Sequence, residues 1–300
     1  LAFAARAVAA ALDEGRPALS AQETDPAVFL LQLPEPAPDG DAAEAVHAVS
    51  GLQCLEILAA GFFGVLCRRG WGRRKHAEAS RDMPPFTFEK LWAYDGGRWG
   101  TKNIVLMGVL LYFQEASRLG LDALRAQQVT ITRKAIGPVG KVPEDLVFCP
   151  CDLEEDGVSI HAFDGDCNLQ ADFANEYLGG GVLSGGGSQE EAMFVEYTEL
   201  LVTMYLVERM LPHEAVEVSG VRRYTLHNMM AARRCGRAEQ FCRAAPVPQA
   251  AAATVVALDA LCFNAHGSVS KWDQYQPQHI RREVRKCLAA LRPPAGAGAA

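Results

Sequence analysis

Residues 169–191 read LQADFANEYLGGGVLSGGGSQEE, and this stretch decides how the rest of the chain is interpreted. Its start, residues 169–175, has the apolar pattern of a short strand, and two triple-glycine runs follow. Ser188 then begins a helix whose first turn carries Gln-Glu-Glu at residues 189–191. Glycine runs let backbone N–H groups approach a ligand closely, and a helix N-terminus adds partial positive charge. The stretch therefore predicts a strand, loop and helix arranged around a phosphate-bearing substrate.

The two adjacent glutamates have two interpretations. Ser188 and Glu191 have the spacing of a capping box, in which the carboxylate only bonds the N-cap N–H. Capping requires neither two glycine runs nor a second carboxylate, so the pattern favours a catalytic role for the glutamates over capping alone. Cleavage of a glycosidic bond needs a carboxylic acid to protonate the leaving oxygen, and burial beside another carboxylate favours that protonated form. We hypothesise that one glutamate of the pair is a general acid and the other accepts sugar hydroxyl bonds.

Other phosphate and metal motifs are weaker. The chain has no GxxxxGK[ST] sequence, and no acidic residue follows the glycines at the spacing of a dinucleotide fold. Nine cysteines without a CxxC pair indicate a reducing compartment, either nucleus or cytoplasm. Cys149 and Cys151, with His161, could form half a zinc site, but ordinary reduced cysteines are the favoured interpretation. We predict no metal.

The composition is that of a soluble globular protein, with 49% hydrophobic and 22% charged residues. A net charge of -7 argues against binding nucleic acid through bulk electrostatics. We find no uncharged apolar stretch of about 18 residues, so we expect no membrane span. The apolar N-terminus lacks a basic region and is interpreted as a helix. The basic run at residues 67–75 has two interpretations. It is either a solvated loop, or a segment that contacts phosphates or directs nuclear import.

Helical patterns dominate the first 120 residues. Apolar residues recur at helical spacing over residues 51–65 and 103–120, and the second helix is expected to end at Gly120. Residues 34–40 are rich in Pro, Asp and Gly and predict a loop.

Short strand patterns alternate with helical ones after residue 120, which predicts an α/β domain. The strands are expected at residues 129–133, 169–175, 214–220 and 254–261, and the helices at 189–211 and 278–291. We therefore expect a helical region over residues 1–120, an α/β domain over 121–291 and a flexible tail over 292–300.

The string GGGVLSGGGSQEE closely resembles the signature of poly(ADP-ribose) glycohydrolases, a triple glycine followed by Gln-Glu-Glu. The preceding ADFANEYLGGG is also similar to that family. Further resemblance lies in residues 52–69, 102–113, 129–136, 255–261 and 274–291.

The resemblance implies a macrodomain-like α/β/α catalytic core with an N-terminal helical accessory region. The implied activity is hydrolysis of the ribose–ribose O-glycosidic bonds of poly(ADP-ribose), without a cofactor. The implied partners are poly(ADP-ribose) and the proteins that carry it, with no direct DNA binding, no membrane and a monomeric chain.

Site residues follow from their positions in the family motif. Glu191 is implied as the general acid, and Glu190 as the residue that positions the scissile ribose. The implied substrate contacts are Asp172 and Asn175 at the terminal ribose, Gly179, Gly180 and Gly181 along the substrate backbone, Gln189 at ADP-ribose, the family tyrosine Tyr224, and His227 at the adenine-stacking position.

The sequence also departs from the family pattern. Met229-Met230 replace a Gly-Tyr pair, and the Ile-Glu pair at the adenine edge matches either residues 160–161 or 163–164. In the family, another strand and a second glycine-rich loop follow the helix at 278–291. We therefore expect a C-terminally incomplete core, and an alternative function as a catalytically impaired ADP-ribose-binding module.

Overall fold

The computed structural model describes most of the chain, in eight segments. These are residues 1–13, 42–66, 83–93, 99–137, 169–235, 240–245, 252–261 and 273–292. Several predicted features lie outside the described residues, namely the loop at 34–40, the basic run at 67–75, the cysteines at 149 and 151, the adenine-edge candidates at 160–164 and the tail at 293–300.

A five-stranded mixed sheet forms the centre of the described structure, in the order β1-β2-β4-β7-β3. The strands are β1 (Ala42–Ser50), β2 (Gln128–Ile136), β3 (Leu169–Ala174), β4 (Glu214–Val221), β5 (Thr225–His227), β6 (Cys242–Ala244) and β7 (Ala253–Asp259). Only β3 and β7 are parallel neighbours in the large sheet, and β5 pairs with β6 separately. All four predicted strands are present.

Eight helices accompany the strands in the described segments. They are α1 (Ala2–Asp13), α2 (Gly51–Phe62), α3 (Glu89–Trp92), α4 (Trp99–Ala126), α5 (Gln189–Glu196), α6 (Thr203–Leu206), α7 (Met229–Cys235) and α8 (Pro277–Leu291). Helices therefore combine with a mixed sheet, as the predicted α/β class requires.

The prediction of one helix over residues 189–211 is wrong. Helix α5 ends at Glu196, and Tyr197 leaves the helical conformation with φ -105° and ψ 70°. A 3₁₀ turn, Thr198–Val202, then leads into α6. The hydroxyls of Thr198 and Thr203 donate to backbone carbonyls three residues earlier. Such local bonds compete with the regular helical ladder.

The predicted helix end at Gly120 is confirmed as a break within α4, and a second helical segment continues to Ala126. Gly120 has φ 80° and ψ 165°, so the helix is kinked there. Glycine adopts positive φ without a steric penalty. The second half remains attached because Leu124 is fully buried in the core.

By length and composition alone, the Gly100–Ala126 part of α4 could cross a membrane, with a mean hydropathy of 1.3. Val105, Val109, Tyr112 and Phe113 of this helix are buried in the hydrophobic core. The apolar face of α4 thus packs against the protein, as in a core helix.

The expectation of a helical first 120 residues is wrong at Ala42–Ser50, which form edge strand β1. This strand pairs antiparallel with β2 from Ala42↔Ile136 to Ser50↔Gln128. Leu55 of α2 and Ile131 of β2 belong to the same hydrophobic core. The region predicted to be accessory therefore shares both the sheet and the core with the α/β part.

Helix α8 is attached to the sheet by buried charged groups. The Lys286 ammonium donates to Leu211 O at 3.0 Å, to Glu214 O at 2.8 Å and to the carboxylate of Asp259. Arg282 donates to the backbone oxygen of Asp259 at 3.1 Å and to its carboxylate at 2.5 Å. Asp259 is the last residue of β7, so these bonds fix the carboxyl end of that strand.

Candidate active site

A cleft of about 460 Å³ lies where the parallel strands β3 and β7 end. The carboxyl ends of parallel strands are the usual place for ligand sites in α/β sheets. Five predicted site residues line this cleft: Asn175, Gly180, Gly181, Glu190 and Glu191.

Glu190 is held by the turn that follows β3. Its Oε1 accepts a hydrogen bond from Gly179 N at 2.8 Å, and its Oε2 accepts one from Asn175 N at 3.1 Å. The residue is 3% exposed. The first-turn position on α5 and the two backbone donors therefore fix this carboxyl group at the cleft wall.

Glu191 both caps its helix and faces the cleft. Its Oε1 accepts from Gly181 N at 2.9 Å, and its Oε2 accepts from Ser188 N at 2.6 Å and from the Ser188 hydroxyl. The capping box predicted from sequence is therefore present. The bond from Gly181 ties the same carboxylate to the first glycine run, so capping and a role in the cleft coexist.

Two glycines are required because the carboxylates pack directly on the backbone. A Cβ on Gly180 would lie 2.5 Å from Glu190 Oε2 and 2.9 Å from Glu191 Oε1. A Cβ on Gly186 would lie 2.6 Å from Glu191 Oε1. Gly180 also has φ 48°, which favours glycine.

The glycine N–H groups have a different role from the predicted one. The N–H of Gly180 donates to Tyr177 O at 3.1 Å, and those of Gly179 and Gly181 donate to the glutamates. A Cβ on Gly179 would meet the Met204 sulfur at 2.7 Å, so this glycine faces the core. The first glycine run thus holds the protein's own carboxylates, whereas free donors for a substrate had been expected.

Asp172 adds a third carboxyl group behind the pair. It is fully buried in β3, and neither of its carboxylate oxygens has a hydrogen-bond partner among the described residues. Burial, with a smaller contribution from the Glu191 charge, raises the pKa of Asp172 to about 7. The structure places Asp172 behind the lining of the cleft.

Burial also raises the pKa of Glu190 to about 9, and the charges of Asp172 and Glu191 act in the same direction. Hydrogen bonds from Asn175 and Gly179 oppose this rise. Interacting carboxyl groups titrate as a set, because each ionisation makes the next one less favourable. Glu190 therefore retains its proton at neutral pH in the unliganded protein.

Gln189, predicted to contact ADP-ribose, is not among the described residues that line the cleft, and its side chain bonds to β3. Its Oε1 accepts from Phe173 N at 3.0 Å, and its Nε2 donates to Ala171 O at 3.0 Å. Among the described strands, β3 is the last of the sheet and has β7 as its one strand neighbour. The side-chain amide of Gln189 ties α5 to β3.

Tyr224 and His227 are not among the described residues that line the cleft, and their substrate contacts stay predictions. Tyr224 is 2% exposed, and its hydroxyl donates to the buried carboxylate of Glu199 at 2.6 Å. The His227 side chain is 3% exposed, with Nε2 at 2.9 Å from Ala192 O. The Tyr224 ring packs edge-to-face on Tyr112 of α4, and the His227 ring lies against α5.

The sequence did not single out several cleft residues. They are Pro85, Phe173, Tyr177, Ser188 as a cleft residue, Ala260 and Leu261. Ala260 and Leu261 directly follow β7. A sequence-based prediction that β7 lies parallel to β3 would have placed these two residues at the cleft. No group of three His, Cys, Asp or Glu side chains in the described segments is arranged to hold a metal ion.

The chain is similar to known proteins over part of its length. Residues 149–297 match the family described as poly(ADP-ribose) glycohydrolase (PARG), Macro domain fold. Poly(ADP-ribose) glycohydrolase 1 of Arabidopsis thaliana is 36% identical over 155 residues, which are 50% of this chain and 27% of that protein. Poly(ADP-ribose) glycohydrolase 1 of Caenorhabditis elegans is 51% identical over 117 residues, 39% of this chain and 10% of that protein. The α/β fold is therefore the macro domain fold, and the match covers about a quarter or less of each relative.

Replacing Gly186 by alanine tests the contact between the glycine loop and Glu191. The new methyl group would also lie 2.9 Å from the carbonyl carbon of Gly181, which cannot move cheaply. We expect the free energy of unfolding in urea to fall by about 1–3 kcal/mol, as for overpacked sites. Gly181→Ala is the control, since its nearest contact would be 3.3 Å and its φ is -96°. Equal losses in the two variants would contradict this geometry.

Replacing Tyr224 by phenylalanine tests whether this residue is structural. The change removes the hydrogen bond to Glu199, so we expect unfolding to become easier by about 1.5–3 kcal/mol. Affinity for ADP-ribose, measured by titration calorimetry, should stay within about twofold of the wild type, well under the tenfold that 1.4 kcal/mol represents. Weaker ADP-ribose binding at unchanged stability would instead support the predicted substrate contact.

Proposed function

This chain belongs to the poly(ADP-ribose) glycohydrolase family, and from that premise we propose that it hydrolyses the ribose–ribose O-glycosidic bonds of poly(ADP-ribose) to release ADP-ribose. The observation that carries the proposal is the pair Glu190 and Glu191, fixed by backbone donors at the wall of an open cleft. An acid able to protonate a leaving sugar oxygen is the central requirement of glycoside hydrolysis.

Glu191 is assigned as the general acid. Breaking the bond between the anomeric carbon and the leaving oxygen produces an oxocarbenium-like carbon, and the leaving oxygen takes the proton. Water then adds its hydroxyl to that carbon and gives up a proton to a carboxylate. Glu190 holds the proton in the unliganded state, because burial raises its pKa. One oxygen of Glu190 and one of Glu191 both lie next to Gly180, so the two carboxyl groups are close together. Once the proton has moved to Glu191, Glu190 accepts a ribose hydroxyl bond.

Asn175 is assigned to the ribose next to the scissile bond. Its Oδ1 accepts from Tyr177 N at 3.0 Å, which fixes the amide group at the cleft. The amide nitrogen can then donate to a ribose hydroxyl. Asp172 serves as a buried negative neighbour that keeps a proton in the cluster.

A second candidate is an ADP-ribose-binding module with little turnover. The N–H groups of residues 179–181 are already bonded within the protein, and His227 is buried. Both features reduce the donors and the stacking surface that would orient a substrate for cleavage.

Further properties are proposed with the activity. We propose that the chain acts as a monomer on poly(ADP-ribose) attached to proteins, in the nucleus or cytoplasm. Because its net charge is -7, we propose that the chain does not bind DNA directly and recognises its polymer through local hydrogen-bond donors.

Glu191→Gln is the decisive variant, because glutamine still closes the capping box but cannot donate the proton. We expect kcat for release of ADP-ribose from radiolabelled poly(ADP-ribose) to fall by about 10²–10⁴-fold. Binding of ADP-ribose should persist. Glu190→Gln should lower kcat and raise KM, because a ribose contact is also lost.

Glu196→Gln is the matched control. Glu196 lies on the same helix, is also buried, and pairs with Arg223 at 2.8 Å away from the cleft. This variant should lose stability and keep its activity. A folded Glu191→Gln protein with full activity would refute the assignment of the acid. Binding of poly(ADP-ribose) without release by the wild type would support the binding module.

A further inference from the structure

Thr101, in the first turn of α4, touches the second glycine run. Its hydroxyl donates to Gly185 O at 3.0 Å, across 84 residues of sequence. A Cβ on Gly187 would lie 3.1 Å from the Thr101 methyl group. Thr101 is 1% exposed, so both of its γ substituents are enclosed against this loop.

The loop that Thr101 touches is the one that packs on Glu191. Gly185 has φ 83° and ψ 27°, a left-handed conformation that turns the chain towards Gly186. The Gly186 N–H donates to Gly181 O at 2.8 Å, and its α-carbon faces Glu191 Oε1. Ser188, two residues later, donates to the other oxygen of Glu191. A shift of Gly185 therefore displaces contacts to both oxygens of this carboxylate.

Three consecutive glycines cannot fix their own conformation. They have no side chains to pack and lose more conformational freedom on folding than other residues. An external anchor must therefore hold residues 185–187. The hydroxyl of Thr101 provides one, because it satisfies the buried carbonyl of Gly185.

We infer that Thr101 is a positioning residue for Glu191, acting from helix α4 through the second glycine run. Its catalytic consequence rests on the proposed function, whereas its effect on the loop does not. Helix α4 thus contributes to the arrangement of the cleft carboxylates without lining the cleft.

Three variants test this inference. Thr101→Val keeps the shape and removes the hydroxyl, and Thr101→Ser keeps the hydroxyl and removes the methyl group. Thr225→Val is the matched control. Thr225 is fully buried, and its hydroxyl donates to Val195 O at 2.9 Å, at the opposite end of α5 from the glutamates.

The first measurement is amide hydrogen exchange of residues 181–188, which needs no turnover. Thr101→Val should speed exchange of the Gly181, Gly186 and Ser188 amides by about tenfold, as loss of an anchoring bond allows local opening. Thr101→Ser should stay close to the wild type. Thr225→Val should lower the Tm and leave exchange in this segment unchanged.

The second measurement is steady-state kinetics on poly(ADP-ribose). Thr101→Val should lower kcat by about tenfold with KM nearly unchanged, as expected when only the transition state is affected. Thr101→Ser should restore kcat. Equal exchange in Thr101→Val and Thr225→Val, or a serine variant that behaves like the valine variant, would overturn the inference. A wild type that releases no ADP-ribose would overturn the proposed function and leave the exchange result decisive for Thr101.

Discussion

Backbone N–H groups of Gly179 and Gly181 donate to the carboxylates of Glu190 and Glu191, and the rest of the site depends on these bonds. Two adjacent carboxyl groups in the first turn of a buried helix repel each other and lose hydration. Backbone donors offset part of that cost, but they reach the carboxylates only where no side chain intervenes. Gly180 and Gly186 meet this requirement, since a Cβ at either position would collide with a glutamate oxygen.

The surrounding elements hold the two glycine runs against the helix. Gln189 ties α5 to the backbone of β3, and the carboxyl end of β7 is fixed through Asp259 by α8. Thr101 reaches the second glycine run from α4. One hydrophobic core spans α4, α5 and the sheet, and a second, smaller cluster packs Ala289 and Ala290 of α8 against β4 and β7. Sheet, helical region and site therefore form one packed structure in the described residues, and changes far from the cleft can alter the positions of the glutamates.

Local sequence predicted those features that depend on neighbours in the chain. The strand at β3, the capping box of Ser188 and Glu191, and the glycine approach are encoded within residues 169–191. Features that depend on distant partners were missed. Alanine-rich β1 is a strand because it pairs with β2, and the Gln189 side chain bonds to the backbone of β3. Tyr224 is drawn into the core by the carboxylate of Glu199, a contact that the sequence does not indicate.

The buried Glu190, beside the charges of Asp172 and Glu191, retains a proton at neutral pH, and the proposed chemistry depends on that proton. The most direct test is an NMR titration of the carboxyl carbons in protein labelled with ¹³C at aspartate and glutamate side chains. Because the pKa of Glu190 is raised to about 9, its resonance should remain that of the acid at neutral pH and change only in alkaline solution. Glu190→Gln should remove that resonance. Ionisation of Glu190 below about pH 6, closer to the ordinary value of a glutamate, would contradict the account.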